Sequence, residues 1–224
     1  MSLFKFKSAK TIEDLTRDIQ TIMNDEIWFS GIDYLNDPFE KVYSTKMLEE
    51  YDGTEQIVTD FFIPFQKDID EYFNKVGILS LCKENTNLVM WSHYADNHKG
   101  YCVEYNLNSN IINQLNFENE DEVFLMKVEY EDTPLDFLSL PSNFQFYLRR
   151  KSKLWEYESE VRYISSKKGI HKIPSDSIKA IYLGANINQI VKETIFKLCT
   201  EKKINLYQST LLKNSYALKF EKIL

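Results

Sequence analysis

Short apolar or alternating runs recur from one end of this chain to the other, and that spread is the strongest limit on its fold. Leu3–Lys7 (LFKFK) alternates apolar and polar side chains, and Ile27–Ser30 (IWFS) reads as a short buried strand. Gly77–Cys82 (GILSLC) reads as another, with KENTN as its turn. YCVEYNL after Gly100, Val123–Tyr130 and Ile178–Leu183 are further strand candidates. Helical spacing fits Ile12–Met23, much of 44–75 with breaks at Gly53 and Pro64, a short helix at LVMWSHYA, and about Asn143–Leu154. At the C-terminus a strand (Ile178–Leu183), an amphipathic helix over roughly Asn188–Lys202 and the strand NLYQSTL predict a crossover unit, right-handed if its strands are parallel. The expected class is α+β. It has mixed, mostly antiparallel short-strand sheets, about eight or nine strands with flanking helices, and a C-terminal β-α-β unit. All of it is expected in a single domain over 1–224.

Composition permits this. With 43% hydrophobic residues, including fifteen Phe, fourteen Tyr and three Trp, the chain can build a sizeable core. Six Gly and five Pro are too few for a linker of either type, and no internal repeat is visible. The net charge of −7 does not support a dedicated nucleic-acid binder. The local cluster Arg149, Arg150, Lys151 and Lys153 is expected to be the solvated side of a helix. Three cysteines without CxxC spacing, no apolar leader in MSLFKFKSAK and no membrane-spanning run predict a cytoplasmic chain with free thiols and no membrane partner.

Three stretches carry candidate chemistry. In MWSHYADNHKG, His93 and His98 are five residues apart, so they do not share one helical face as a zinc pair does. A zinc site would need His98 in a loop with Cys82 and Cys102 pairing across adjacent strands, and core thiols are the plainer expectation. Met90, Trp91 and Tyr94 share a face and should pack. His93 and the polar turn at Asn97, His98 and Gly100 are candidate ligand contacts beside a strand. In WEYESEVRYIS, an extended Glu156–Ile164 would align Glu158, Glu160 and Arg162 on one side, as a charged edge or the polar wall of a cleft. Glu-x-Glu spacing recurs elsewhere in the chain, so spacing alone selects nothing. In LNDPFE, Asn36-Asp37-Pro38 is turn chemistry, with Asp37 and Glu40 able to hold a cation. No phosphate-binding glycine loop and no G-x-S-x-G motif is present.

The order LFKFKS, IWFS, LNDPFE, ILSLC, MWSHYADNHKGYCVEY, W-x-YESEVRYI and IKAIYLG resembles a bacterial family, domain of unknown function 2971, over nearly the whole chain. More distantly, YESEVRYIS…HKIPSDSIKAIYLG resembles the ending of single-domain bacterial ADP-ribosyltransferase-like toxins. That resemblance implies an ADP-ribosyltransferase-like fold and NAD as a substrate, with Glu160 as catalytic carboxylate and Glu158 assisting at the acceptor. His93, Tyr94, Trp91 and Arg162 would line the NAD site. It also implies a macromolecular acceptor, nucleic acid or protein, and an antitoxin or neighbouring defence protein as partner. A toxin or phage-defence role would follow by analogy. The competing expectations are a non-catalytic ligand- or partner-binding module using the same cleft, and a metal-dependent nuclease built on Asp37, Glu40, Glu158 and Glu160.

Overall fold

The alternation in LFKFK is realised as strand β1 (Ser2–Lys7) in the computed structural model, which describes residues 2–46, 54–107, 122–137 and 144–224. Eleven more strands follow among the described residues: β2 (Glu26–Phe29), β3 (Gly77–Cys82), β4 (Tyr101–Asn106), β5 (Val123–Lys127), β6 (Glu129–Glu131), β7 (Arg150–Ser152), β8 (Glu160–Ser165), β9 (Gly169–Lys172), β10 (Ile178–Leu183), β11 (Asn205–Leu211) and β12 (Leu218–Lys222). The helices are α1 (Ile12–Met23), α2 (Thr54–Ile57), α3 (Ile63–Lys75), α4 (Leu88–Tyr94) and α5 (Gln189–Lys202). Eight strands form one sheet in the order β12-β11-β10-β4-β1-β3-β8-β5, and β2-β9 and β6-β7 form two-stranded ribbons. In the large sheet β10 and β11 pair in parallel around α5, and the other neighbours are antiparallel. The fold is α+β with a mostly antiparallel sheet. The strands exceed the expected eight or nine because short ribbons such as Glu129–Glu131 leave little periodic signal.

One face of the sheet is mostly apolar, with a polar patch of Lys7, Asp18 and the Tyr101 hydroxyl at its edge. Leu3, Leu79, Leu81, Val103, Val161 and Ile181 pack there against Leu15 and Ile22 of α1 and Ile195 and Leu198 of α5. The other face is divided. Ile78 and Ile164 sit under Phe65, Ile69 and Phe73 of α3, whereas Phe4, Phe6, Cys82 and Cys102 sit under Met90 and Trp91 of α4. Between those clusters the register places Ser80 opposite Arg162 and Cys82 opposite Glu160. A polar seam therefore runs across an otherwise apolar face.

That seam coincides with a gap in the sheet. β1 runs along β4 over its full length, yet it meets β3 in one registered pair, Phe4 with Cys82. At the other end of β3, Ser30 takes the neighbouring place, exchanging backbone hydrogen bonds with Ile78 at 2.9 and 2.8 Å. Lys5 Nζ donates to the Ser80 carbonyl across the gap at 3.1 Å.

Three expectations need correction. Within the expected helix at Asn143–Leu154, the described part is a 3₁₀ turn (Phe144–Arg149), then β7, then a second 3₁₀ turn (Lys153–Glu158). Parallel pairing of β7 with β6 and the Ser152 hydroxyl accepting from the Leu154 amide outweigh local helical propensity. Asn143 itself lies outside the described residues. Glu156–Ile164 is not extended throughout either: β8 begins at Glu160, after Ser159 turns the chain in the left-handed region at φ 45°. Pro64 does not break the helical stretch: it lies in the first turn of α3, directly after the π turn at Val58–Phe62. α2 leads into α3 through a π turn at Val58–Phe62, and Gly53 lies outside the described residues.

Candidate functional site

A pocket of about 190 Å³ opens where β1 parts from β3. Phe4, Lys5 and Phe6 of β1 and Ser80–Cys82 of β3 form its floor, and Met90 and Tyr94 of α4 form one wall. Glu158, Glu160 and Lys151 form another, and the 30–40 loop contributes Tyr34, Asn36 and Glu40.

Local chemistry fixes the α4 wall. Asn87 caps α4, its side-chain oxygen accepting from the Val89 and Met90 amides, while its amide donates to the Tyr157 carbonyl at 2.6 Å. The cap thus ties α4 to the turn that carries Glu158. Trp91 is fully buried, with its indole N–H on the Asn85 carbonyl and its face edge-on to Phe6. Beyond Tyr94 the chain reverses through three successive left-handed residues, Asp96, Asn97 and His98. The Asn97, His98 and Gly100 amides return to the Ser92, Trp91 and Ala95 carbonyls. So held, Tyr94 donates its hydroxyl to Glu158, and Asn36 hydrogen-bonds the same hydroxyl.

Behind the wall lies a closed ionic network. Arg162, with no exposed surface, binds Glu160 through Nε (2.8 Å) and Nη2 (3.0 Å), Glu40 through Nη1 (2.7 Å) and Nη2 (2.6 Å), and the Leu148 carbonyl (2.7 Å). Lys151 sits among all three glutamates, 2.7 Å from Glu158 and 3.4 Å from both Glu40 and Glu160. The Glu160 backbone N–H donates to the Tyr130 hydroxyl, and the Ser80 hydroxyl bonds the Glu160 carboxylate.

These surroundings separate the two candidate carboxylates. Burial alone would raise the pKa of Glu160, but Arg162, Lys151 and Ser80 overcome it and hold the group at about 2. For Glu158 burial prevails over Lys151 and Tyr94, with Glu160 adding repulsion, so its pKa is raised. Glu160 is thus held as an anion, and Glu158 is the carboxylate that takes up a proton more readily than an ordinary one.

The sequence-derived candidates divide accordingly. Glu158, Glu160 and Tyr94 line the pocket, and Arg162 backs it. Trp91 is packed beneath the wall, and His93 stands exposed with Nδ1 3.1 Å from the Tyr157 hydroxyl. His98 stacks on Trp91, and its Nδ1 is buried without a partner. Cys82 and Cys102 are not on adjacent strands, because β1 lies between β3 and β4, and both thiols are free and buried. Among the described residues no group of three or more His, Cys, Asp or Glu side chains is placed to hold a metal ion. Asp37 accepts from the Phe39 amide, the expected turn contact, while Glu40 joins the network.

The basic cluster is corrected in part: it lies on no α-helix and Lys151 is enclosed, whereas Arg149 and Lys153 are solvated. Lys151 is buried over the Trp155 ring, and Arg149, Arg150 and Lys153 pair with Glu129, Glu131 and Asp132. Sequence reasoning also passed over Ser80. The one available signal was a polar residue inside an otherwise apolar strand run.

No curated protein and no solved structure matches the chain. Among the described residues no helix is long and apolar enough to cross a membrane. Residues 90–163 match the family described as protein of unknown function, DUF2971, a segment that contains Tyr94, Lys151, Glu158, Glu160 and Arg162 but not Glu40.

Proposed function

We propose that this pocket carries out an NAD-consuming ADP-ribosyl transfer. The observation behind the reading is the convergence, at one gap in the sheet, of two carboxylates with opposite proton affinities. In such a transfer the bond from the ribose C1 to nicotinamide breaks, nicotinamide leaves with the electron pair, and positive charge develops on the ribose. A carboxylate that never protonates suits that charge, and its Ser80 contact is the neutral donor that a ribose hydroxyl can replace. Glu158 then takes the proton from the acceptor nucleophile as the new bond to C1 forms, with Tyr94 and Lys151 fixing its orientation. The acceptor is a macromolecule, nucleic acid or protein, and a toxin or phage-defence role accords with such chemistry.

Nicotinamide release from NAD by purified protein tests this, with and without nucleic acid or lysate. Glu160→Gln abolishes release, and Glu158→Gln impairs transfer to the acceptor more than hydrolysis. Because Glu158 must be ionised to act, transfer rises with pH through a value above the ordinary carboxylate range. Absence of release, together with an unchanged melting temperature in millimolar NAD, would sink the reading.

A second reading is favoured by the enclosure of Glu160 between Arg162 and Lys151. As a binding module, the pocket would hold a ligand without turnover, and Glu160→Gln would lower stability rather than a rate.

A further inference from the structure

The large sheet ends on one side at β12, and among the described residues no strand pairs with its outer edge. The phase of the ladder fixes which groups that edge presents. Against β11, Lys219 stands opposite Thr210 and Phe220 opposite Ser209. In the same register the Leu212 amide donates to the Ala217 carbonyl at 3.1 Å, and the Ile223 amide donates to the Leu206 carbonyl at 2.8 Å. Backbone groups alternate in direction along an antiparallel strand. Lys219 and Glu221 therefore also bond inward to β11, and the N–H and C=O groups of Leu218, Phe220 and Lys222 point outward. Side chains alternate between the faces in step. Phe220 lies against Tyr182 and Trp91, whereas Lys219 and Glu221 share the opposite face, exposed and paired with each other at 2.7 Å.

We propose that β12 is an interface with a second copy of this chain, each β12 pairing antiparallel with the other about a two-fold axis at Phe220. Such an axis stands normal to the sheet, and for hydrogen bonds to form at its centre it passes through a residue whose backbone points outward. Centred on Leu218, it would leave Lys219 opposite Ala217 and Glu221 opposite Ser215, with neither charge answered. Centred on Lys222, it would set that lysine against itself. Centred on Phe220, it places Lys219 opposite Glu221 of the second copy and Glu221 opposite Lys219 of the second copy. Those are non-hydrogen-bonded positions, where facing side chains approach most closely. Leu218 then meets the aliphatic stem of Lys222.

Lysines on an exposed edge ordinarily keep other strands away. Here an opposite charge two residues on makes the edge complementary to itself. The same pairing carries the hairpin end of one copy, with Leu212 and the fully exposed Tyr216, toward the exposed Ile223 and Leu224 of the other. Apolar surface at both ends of the strand is thereby covered. None of this depends on the chemistry of the pocket.

Sedimentation equilibrium of the full chain from about 1 to 200 μM tests the interface. The contact is short for a permanent dimer, so a monomer–dimer equilibrium in the micromolar range is expected. Lys219→Glu and Glu221→Lys each set like charges face to face, and each should weaken self-association by at least about tenfold. An equimolar mixture of the two variants brings opposite charges together again and should associate about as tightly as the unmodified chain. Lys222→Pro removes an outward N–H without breaking the β11 ladder, and it should weaken association to a similar degree. All three positions are exposed, so circular dichroism and melting temperature should stay as in the unmodified chain. A monomer throughout the concentration range overturns the proposal. So does self-association undiminished in Lys219→Glu, or a mixture of the two charge variants that stays monomeric.

Discussion

Arg162 is the residue on which the ionic network closes. It neutralises Glu160 from the neighbouring turn of the pleat and Glu40 from a loop far away in the chain. Removing one member of a buried ion pair strands the others, so Arg162→Met should cost about 3–5 kcal/mol in urea unfolding. The triple variant Arg162→Met, Glu40→Gln, Glu160→Gln should recover much of that loss, since no charge is then left unpaired. Glu160 also sets an acid limit. Its folded pKa lies below the unfolded value, so its stabilisation is complete above about pH 4.5 and drains away as pH falls toward 2. Unfolding free energy measured over that window should fall with pH in the native chain and less steeply in Glu160→Gln.

At the scale of elements, position is fixed by backbone turns that sequence periodicity does not register. Ser159 adopts a left-handed conformation between the 3₁₀ turn and β8, and this brings Glu158 round beside Glu160. Ser159→Gly should be neutral or stabilising by up to about 1 kcal/mol, whereas Ser159→Val should destabilise through its β-branch. Gly184 ends β10 against the reversal that follows α4, and a Cβ there would lie 2.1 Å from the His98 carbonyl oxygen. Gly184→Ala should therefore cost about 2 kcal/mol or more by urea titration and loosen the Tyr94 wall with it.

The elements themselves were largely legible. LFKFK, GILSLC and IKAIYL alternate or run apolar as strands do, and the end of the chain spells out its crossover unit. The pocket was half legible. Glu158, Glu160 and Arg162 stood out as a cluster, and Tyr94 as part of a helical face. The geometry that joins Glu158 to Glu160 comes from a left-handed kink rather than a two-residue period. Lys151 was misjudged because a lysine beside two arginines looks solvated, and only the return of Glu40 and Glu158 in space buries it. The gap beside Lys5 was not legible, because nothing in an alternating strand foretells where its neighbour departs.

Across the whole molecule, the large sheet consists of a five-strand block, β12-β11-β10-β4-β1, and a three-strand block, β3-β8-β5, joined at one registered pair. Amide exchange should show it: protection within β4 and β8 should exceed that of residues 5 and 80 by at least about tenfold if the blocks part locally without global unfolding. Equal protection across the gap would mean that the sheet opens only as a unit. The blocks also interleave in sequence, since the first strand belongs to one, the third to the other and the fourth to the first again. The three-strand block is complete once β8 has emerged, when β1 and β4 alone of the five-strand block have been made. Every residue that lines the pocket, from Phe4 to Glu160, is therefore synthesised before β10, β11 and β12, and the far edge of β4 waits for β10 to cover it.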